Sequence, residues 1–285
     1  MSDAERDPLT GREVRVVGNR QDRPNLPSEG CPFCPGGLEA PDDYDTHWFV
    51  NRWPPLPDER AEVLLYSPDH NASMATLSTT QARAVVDLWA ARTIDLGGRD
   101  DVAYVLPFEN RGATVGATIA HPHGQIYAYD FVPPVARHEL DSDACTLCDA
   151  VPDGLLVDSI GGWSISVPAL AAWPYELIVA PRDHLADLPS LDDMNRNALA
   201  VLLPRAVAAL DTHFGESTPL MLWIHQRPYD GGDWPRAHVH VHITPLWRET
   251  GVQRYVAAAE LGSAVFFNPV APFEAAANLR FALGT

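Results

Sequence analysis

The sequence predicts an α+β fold with a mainly antiparallel sheet, because one unit of strands, helix and strands occurs in it twice. Three observations carry this. All four cysteines fall in two C-x-x-C pairs, Cys31/Cys34 and Cys145/Cys148, offset by 114 residues. At the same offset Glu62-Val-Leu-Leu-Tyr-Ser-Pro-Asp-His70 falls on Glu176-Leu-Ile-Val-Ala-Pro-Arg-Asp-His184, so 39 residues separate the first cysteine from the histidine in both halves. Farther on, His121-Pro-His123-Gly-Gln125 falls on His238-Val-His240-Val-His242 at an offset of 117, a slip of three that a loop absorbs.

Each copy gives the same elements in the same order. After the cysteine turn come short runs rich in β-branched and aromatic residues, Thr46 to Val50 and Glu62 to Tyr66, matched by Trp163 to Val167 and Glu176 to Ala180; these read as strands. Helices are expected near Thr80 to Leu96, where Val85, Val86, Leu88 and Trp89 fall near helical spacing, and near Met194 to Phe214, with Pro204 kinking the second. Strands follow at Val102 to Phe108 and Gln125 to Asp130, and at Met221 to His225 and Val239 to Thr244. Pro-Pro and charge place the linker at Pro133 to Asp143, which divides the chain into residues 1–139 and 140–285.

The chain has 285 residues, 46% of them hydrophobic, enough to bury a sizeable core. The N-terminal stretch is charged and no run approaches the roughly 18 apolar residues of a membrane span, so a cytoplasmic protein with no membrane partner is expected. A net charge of −18 repels a nucleic-acid backbone. A small phosphorylated ligand remains compatible with it, provided a few basic groups and backbone amides converge locally.

In a reducing compartment the paired cysteines favour metal, with a redox pair as the alternative. Zinc takes four ligands in a tetrahedron. Cys31, Cys34, His70 and His121 supply such a set in the first copy, and the repeat supplies Cys145, Cys148, His184 and His238 in the second. An alternative second site is Glu139, His225, His240 and His242, whose three imidazoles and one carboxylate suit zinc or iron.

His123 lies between two small residues where a strand meets a turn, and a neutral imidazole there is a competent nucleophile toward phosphorus. Attack on the α-phosphate of a sugar nucleotide gives a nucleotidyl-imidazole and a sugar 1-phosphate, hence ping-pong kinetics. Gln125 is placed to donate a hydrogen bond to a non-bridging oxygen or to the adduct.

The run Phe108-Glu-Asn110-Arg-Gly112-Ala-Thr-Val-Gly116-Ala-Thr118-Ile-Ala-His121-Pro-His123-Gly-Gln125 resembles the signature of the galactose-1-phosphate uridylyltransferase family of the histidine-triad superfamily. Cys31-Pro-Phe-Cys34, Ser67-Pro-Asp-His70, Ala171-Ala-Trp-Pro174 and the His240/His242 strand extend the resemblance over nearly the whole chain. It implies two fused histidine-triad-like units in a half-barrel with flanking helices, usually dimeric. It makes His123 the nucleophile and assigns phosphate contacts to Asn110, Gly116, Thr118 and Gln125, a phosphate-contacting arginine pair to Arg20 and Arg23, and a nucleoside contact to Asn51. The two complete sets of two cysteines and two histidines are similar to the branch that includes plant ADP-glucose phosphorylase. Arg52 follows Asn51 where many relatives carry an acid, and the family's hexose-binding glutamine has no counterpart in Leu261 to Phe267.

Uridylyl transfer from UDP-glucose to galactose 1-phosphate is therefore expected, in a homodimer acting on a sugar nucleotide and a sugar 1-phosphate. The alternatives are an ADP-glucose phosphorylase of the same mechanism, a histidine-triad nucleotide hydrolase, and a zinc-stabilised binding protein without turnover. Gln125 speaks against the hydrolase, since hydrolases of the superfamily carry a third histidine there.

Overall fold

The computed structural model describes residues 5–18 and 30–284. A short hairpin, β1 (Glu5–Arg6) and β2 (Glu13–Val14), precedes the main body. Then follow β3 (His47–Val50), β4 (Ala61–Leu65), helix α1 (Thr79–Gly97), β5 (Tyr104–Arg111), β6 (His123–Tyr129) and helix α2 (Pro134–Leu140). The second half runs β7 (Leu156–Ile160), β8 (Trp163–Ser166), β9 (Leu177–Pro181), α3 (Asp193–Phe214), β10 (Leu220–His225) and β11 (His240–Pro245). A hairpin of β12 (Trp247–Glu249) and β13 (Val252–Gln253) leads to α4 (Ala258–Ser263) and α5 (Pro272–Leu283). None of the described helices is long and apolar enough to cross a membrane.

One nine-stranded antiparallel sheet joins both halves in the order β3-β4-β6-β5-β10-β11-β9-β8-β7. From the middle outward, β5-β6-β4-β3 on one side repeats as β10-β11-β9-β8 on the other. Gln125 stands opposite Phe108 and Val63 as His242 stands opposite Trp223 and Ile178, and Phe108 itself stands opposite Trp223. A local two-fold axis therefore passes through this last pair. The ladder corrects the superposition of 62–70 on 176–184 by one residue: Val63 matches Ile178, and the loop to the histidine is one residue shorter in the second copy.

Alternation along β6 separates the two faces of the sheet. Gly124, Ile126 and Ala128 are buried, while His123, Gln125, Tyr127 and Tyr129 are half-buried. Ile126 and Ala128 join Val85, Val86 and Trp89 of α1 and Leu199, Leu203 and Leu210 of α3 in one core. Both helices thus lie on one face and leave the other open. Ser78 caps α1 by accepting from the Gln81 amide at 3.2 Å, and Asp192 caps α3 by accepting from Asn195 at 2.9 Å. α3 runs unbroken through Pro204. The expected linker holds a helix instead of an irregular stretch: Pro133 and Pro134 fix φ at its start, where a missing N–H costs nothing, and α2 follows.

Glu109 points into the helix-covered side and is 5% exposed, its Oε2 without a partner among the described residues. The Tyr66 hydroxyl and the Trp89 indole are buried in the same core, their rings edge to face with centroids 5.7 Å apart. Burial pushes the Glu109 carboxyl up to about 7, against a weaker lowering by Arg111. Because the folded pKa is raised, the native state keeps its proton where the unfolded chain, near ~4.3, loses it, so stability falls as pH rises between those values. Glu109→Gln should be more stable than wild type by about 3 kcal/mol at pH 8, with the gap largely closed at pH 5. Urea unfolding at both pH values checks this; a gap independent of pH would refute it.

Candidate active site and metal centres

Strand β6 begins at His123, paired with Leu65 of β4. The His123 Nδ1–H donates to the carbonyl of His121 at 2.7 Å, so the proton sits on Nδ1 and the lone pair on Nε2. The Phe33 ring meets the imidazole edge to face, centroids 5.1 Å apart. Gly124 has no alternative, since a Cβ there would lie 2.0 Å from the Tyr66 hydroxyl oxygen and 2.9 Å from the Phe108 carbonyl.

Gln125 is held in one orientation by a chain of donors. The Trp53 amide donates to Asn51 Oδ1 at 2.9 Å, which leaves Asn51 Nδ2 to donate to Gln125 Oε1 at 3.2 Å. The Tyr127 hydroxyl donates to the same oxygen at 3.3 Å. With its carbonyl engaged twice, Gln125 presents its amide hydrogens to the site. His123, Gln125, Asn51 and Thr118 all line a cavity of about 740 Å³, with Phe33, Leu38, Phe49, Arg52, Trp53, Val63 and Ile119 around them. It is large enough for a nucleotide.

Not every residue expected at the site reaches this cavity. Asn110 lies on β5 opposite Met221, and Gly116, at φ +82°, ends a turn of the connection to β6; neither forms part of the wall. Arg20 and Arg23 lie outside the described residues.

Among the described residues three clusters of metal-ligating type form, each with its ligand atoms within 4.8 Å of one another: Cys31, Cys34, His70 and His121; Cys145, Cys148, His184 and His238; and Glu139, His225, His240 and His242. The second and third were expected as alternatives, and the structure assembles both. The strand boundary separates them: His238 precedes β11 and turns to the cysteine loop, while His240 and His242, two apart on β11 and so on one face, lie against Glu139 of α2.

A tetrahedral metal with ordinary Zn–S and Zn–N bonds puts sulfur and nitrogen about 3.6 Å apart. Cys34 Sγ lies 3.7 Å from the Nδ1 of both His70 and His121. In the second cluster Cys148 Sγ lies 3.1 Å from His184 Nδ1, and Cys145 and Cys148 lie 3.2 and 3.7 Å from His238 Nδ1. Backbone carbonyls orient the rings: His121 Nε2–H donates to Ser67 at 2.7 Å, and His238 Nε2–H to Pro181, the repeat's counterpart of Ser67, at 3.0 Å. The Tyr44 hydroxyl, 2.9 Å from His121 Nε2, completes the first of these.

In the third cluster Glu139 Oε2 lies 2.7 Å from His225 Nδ1, and the Nε2 atoms of His240 and His242 face one another at 2.9 Å. Burial lowers His240 to about 4 and His242 to about 2, so both rings are neutral. At that distance His242 Nε2–H can donate to His240 Nε2, and the same two nitrogens can instead ligate one cation together with Glu139 and His225. His240 Nδ1–H donates to the His238 carbonyl at 2.7 Å, as His123 does to His121. The same imidazole geometry thus occurs twice, open to a cavity in the first copy and turned onto Glu139 and His242 in the second.

Tyr44 and Tyr127 bond residues of the candidate site and belong to no motif in the sequence. Their task is hydrogen bonding across strands, which no spacing announces. Only the alternation of Gln125, Tyr127 and Tyr129 hinted that Tyr127 shares the open face.

Such a sheet, duplicated about a local two-fold and carrying a nucleophile-grade histidine beside a fixed glutamine, defines a nucleotidyl-transferase of the histidine-triad kind. The comparisons agree. Residues 57–133 match the model of the galactose-1-phosphate uridyl transferase N-terminal domain and residues 155–264 that of its C-terminal domain. A galactose-1-phosphate uridylyltransferase of Thermotoga maritima is 32% identical, over 96% of each chain. One from Streptomyces lividans is 35% identical, over 89% of this chain and 80% of the relative. A solved uridylyltransferase superposes with a TM-score of 0.90 at 29% identity, covering 99% of both chains. An ADP-glucose phosphorylase from Arabidopsis thaliana with bound ADP-glucose shares the fold, with a TM-score of 0.80 at 24% identity over 98% of this chain and 97% of that one. The chain belongs to the galactose-1-phosphate uridylyltransferase family.

Proposed function

We propose that this protein transfers the uridylyl group of UDP-glucose to galactose 1-phosphate through a uridylyl-His123 intermediate. The observation that carries the reading is the 2.7 Å bond from His123 Nδ1–H to the His121 carbonyl, which directs the Nε2 lone pair to the cavity beside Gln125. Nε2 attacks the α-phosphorus, the P–N bond forms as the P–O bond to glucose 1-phosphate breaks, and the phosphate of galactose 1-phosphate then reverses the step. Gln125 Nε2–H donates to a non-bridging oxygen, where charge accumulates. Thr118 and Asn51 contact phosphate and nucleoside from the cavity wall, and Asn110, Gly116, Arg20 and Arg23 are assigned to the phosphates on the family pattern.

Zinc is the metal this reading gives to both thiolate pairs, and zinc or iron to Glu139, His225, His240 and His242. These groups bind and brace; none enters the transfer step. Residues 1–139 form the catalytic unit and 140–285 the supporting one. We further propose a cytoplasmic homodimer. The exposed Tyr255, Leu261, Val265, Phe266 and Phe267, near one another in sequence, support a contact surface.

A second reading, ADP-glucose with inorganic phosphate as acceptor, is favoured by the two complete cysteine–histidine sets and by Arg52 on the cavity wall. Incubation with UDP-glucose or ADP-glucose without acceptor, rapid desalting and intact-mass measurement separates the two. A UMP adduct is expected. An AMP adduct in its place moves the assignment to ADP-glucose, and steady nucleotide release with no adduct would favour a hydrolase.

A further inference from the structure

The local two-fold relates cavities as well as strands. In the second unit lies a smaller cavity of about 280 Å³, whose wall includes Cys145, Ile178, Arg236, His240 and His242. Ile178 is the ladder counterpart of Val63, and His242 that of Gln125. Cys145 falls on Cys31 at the offset of 114, and Arg236 and His240 fall on Ile119 and His123 at the offset of 117. Every one of these counterparts lines the larger cavity. The smaller cavity is therefore the second unit's image of the candidate active site.

The image keeps one end of the original and loses the other. Phe49 stands opposite Val63 as Ser166 stands opposite Ile178, so Phe49 and Asn51 fall on Ser166 and Pro168, and neither of these lines the smaller cavity. Ala136, Glu139 and Leu140 of α2 form part of its wall instead. What is retained is the end that corresponds to His123 and Gln125, with room for one oxyanion and too little for a nucleotide.

Charge identifies the occupant. Arg236 stands where the first unit has an isoleucine; it is exposed and forms no ion pair among the described residues, in a chain of net charge −18. Glu139, the carboxylate of this wall, is engaged with His225 Nδ1 at 2.7 Å. Its side chain is 35% exposed against 8 to 13% for His225, His240 and His242, so the ligand set is least covered at its carboxylate. A divalent metal held by that set supplies positive charge at the cavity floor. We propose that this cavity binds inorganic phosphate, seated between Arg236 and the set of Glu139, His225, His240 and His242, in the place where the first unit holds the transferring phosphate. A guanidinium facing such an anion makes charge-assisted hydrogen bonds. This rests on the nucleotidyl-transfer reading.

The test is equilibrium dialysis of the metal-loaded protein against radiolabelled inorganic phosphate, with and without saturating UDP to fill the larger cavity. One equivalent of phosphate should remain bound in the presence of UDP. Arg236→Gln should weaken it at least about tenfold, and Arg248→Gln, which removes the same charge from an exposed arginine outside both cavities, less than about twofold. Complete displacement of phosphate by UDP, retention in Arg236→Gln, or equal weakening by the two substitutions would each overturn the proposal. If neither UDP nor ADP binds, the transfer reading loses its ligand, while the arm without nucleotide still shows whether Arg236→Gln removes an equivalent of phosphate.

Discussion

His123→Ala is expected to abolish the nucleotidyl-enzyme adduct and to lower turnover at least about 10³-fold, with little change in melting temperature. The ring is half-buried, donates to the His121 carbonyl and rests on the edge of Phe33, and a single such hydrogen bond is worth about 1 kcal/mol. Among the described residues the cavity wall offers no second nucleophile of the same kind: its thiols, Cys31 and Cys34, sit with His70 and His121 within 4.8 Å, and a thiolate committed to a metal is a poor attacking group. On the proposed reading Gln125, held by Asn51 and Tyr127, keeps its phosphate contact in the variant, so affinity for the sugar nucleotide should stay within a fewfold while kcat collapses. An adduct of unchanged mass and yield in His123→Ala would place the nucleophile elsewhere.

Metal removal gives the second large effect, and it should differ between the two thiolate clusters. The turn that carries Cys31 and Cys34 closes with Gly37 N–H donating to the Cys34 carbonyl at 2.8 Å, and a Cβ at Gly37 would lie 2.6 Å from the Pro32 carbonyl oxygen. This turn lines the cavity and meets β6 through His121, whose carbonyl holds His123. On the proposed reading, loss of a metal from this cluster releases both the cavity wall and the acceptor that sets the His123 tautomer. Cys31→Ser or Cys34→Ser should lose one metal equivalent, lower activity about 10- to 100-fold and depress the melting temperature by several degrees. Cys145→Ser should lose an equivalent and comparable stability with a much smaller loss of activity, since that cluster does not line the larger cavity. Elemental analysis, melting curves and rates on the same preparations decide it. A folded, fully active protein without metal at Cys31 and Cys34 would refute the assignment.

Much of this architecture was legible because it is written twice. The recurrence of cysteine pair, Asp-His and histidine strand fixed the order of elements, and most of the expected strands and both long helices end within one or two residues of their observed limits. What remained hidden depends on contacts across the sheet. Nothing in the sequence announces that Phe108 meets Trp223, that Tyr44 bonds His121, or that Glu109 lies buried on the helix-covered side with no partner for its Oε2 among the described residues. Pro133-Pro134 suggested a break and instead starts the helix that delivers Glu139 to three histidines. That helix is why two ligand sets, which looked mutually exclusive, coexist. Asn110 and Gly116 match a family pattern in sequence but sit off the cavity wall, because the connection from β5 to β6 carries them away from it.

The pairing of β5 with β10 at the centre of the sheet also has an evolutionary reading. A single unit would leave that strand as an open edge, and an open edge recruits a partner. Two identical units meeting there make a symmetric pair with two identical centres, neither able to change without the other. Joining them into one chain removes that constraint. The two histidine strands are then free to differ, and they do: His123 lines the cavity beside Gln125, while His240 shares its surroundings with Glu139, His225 and His242.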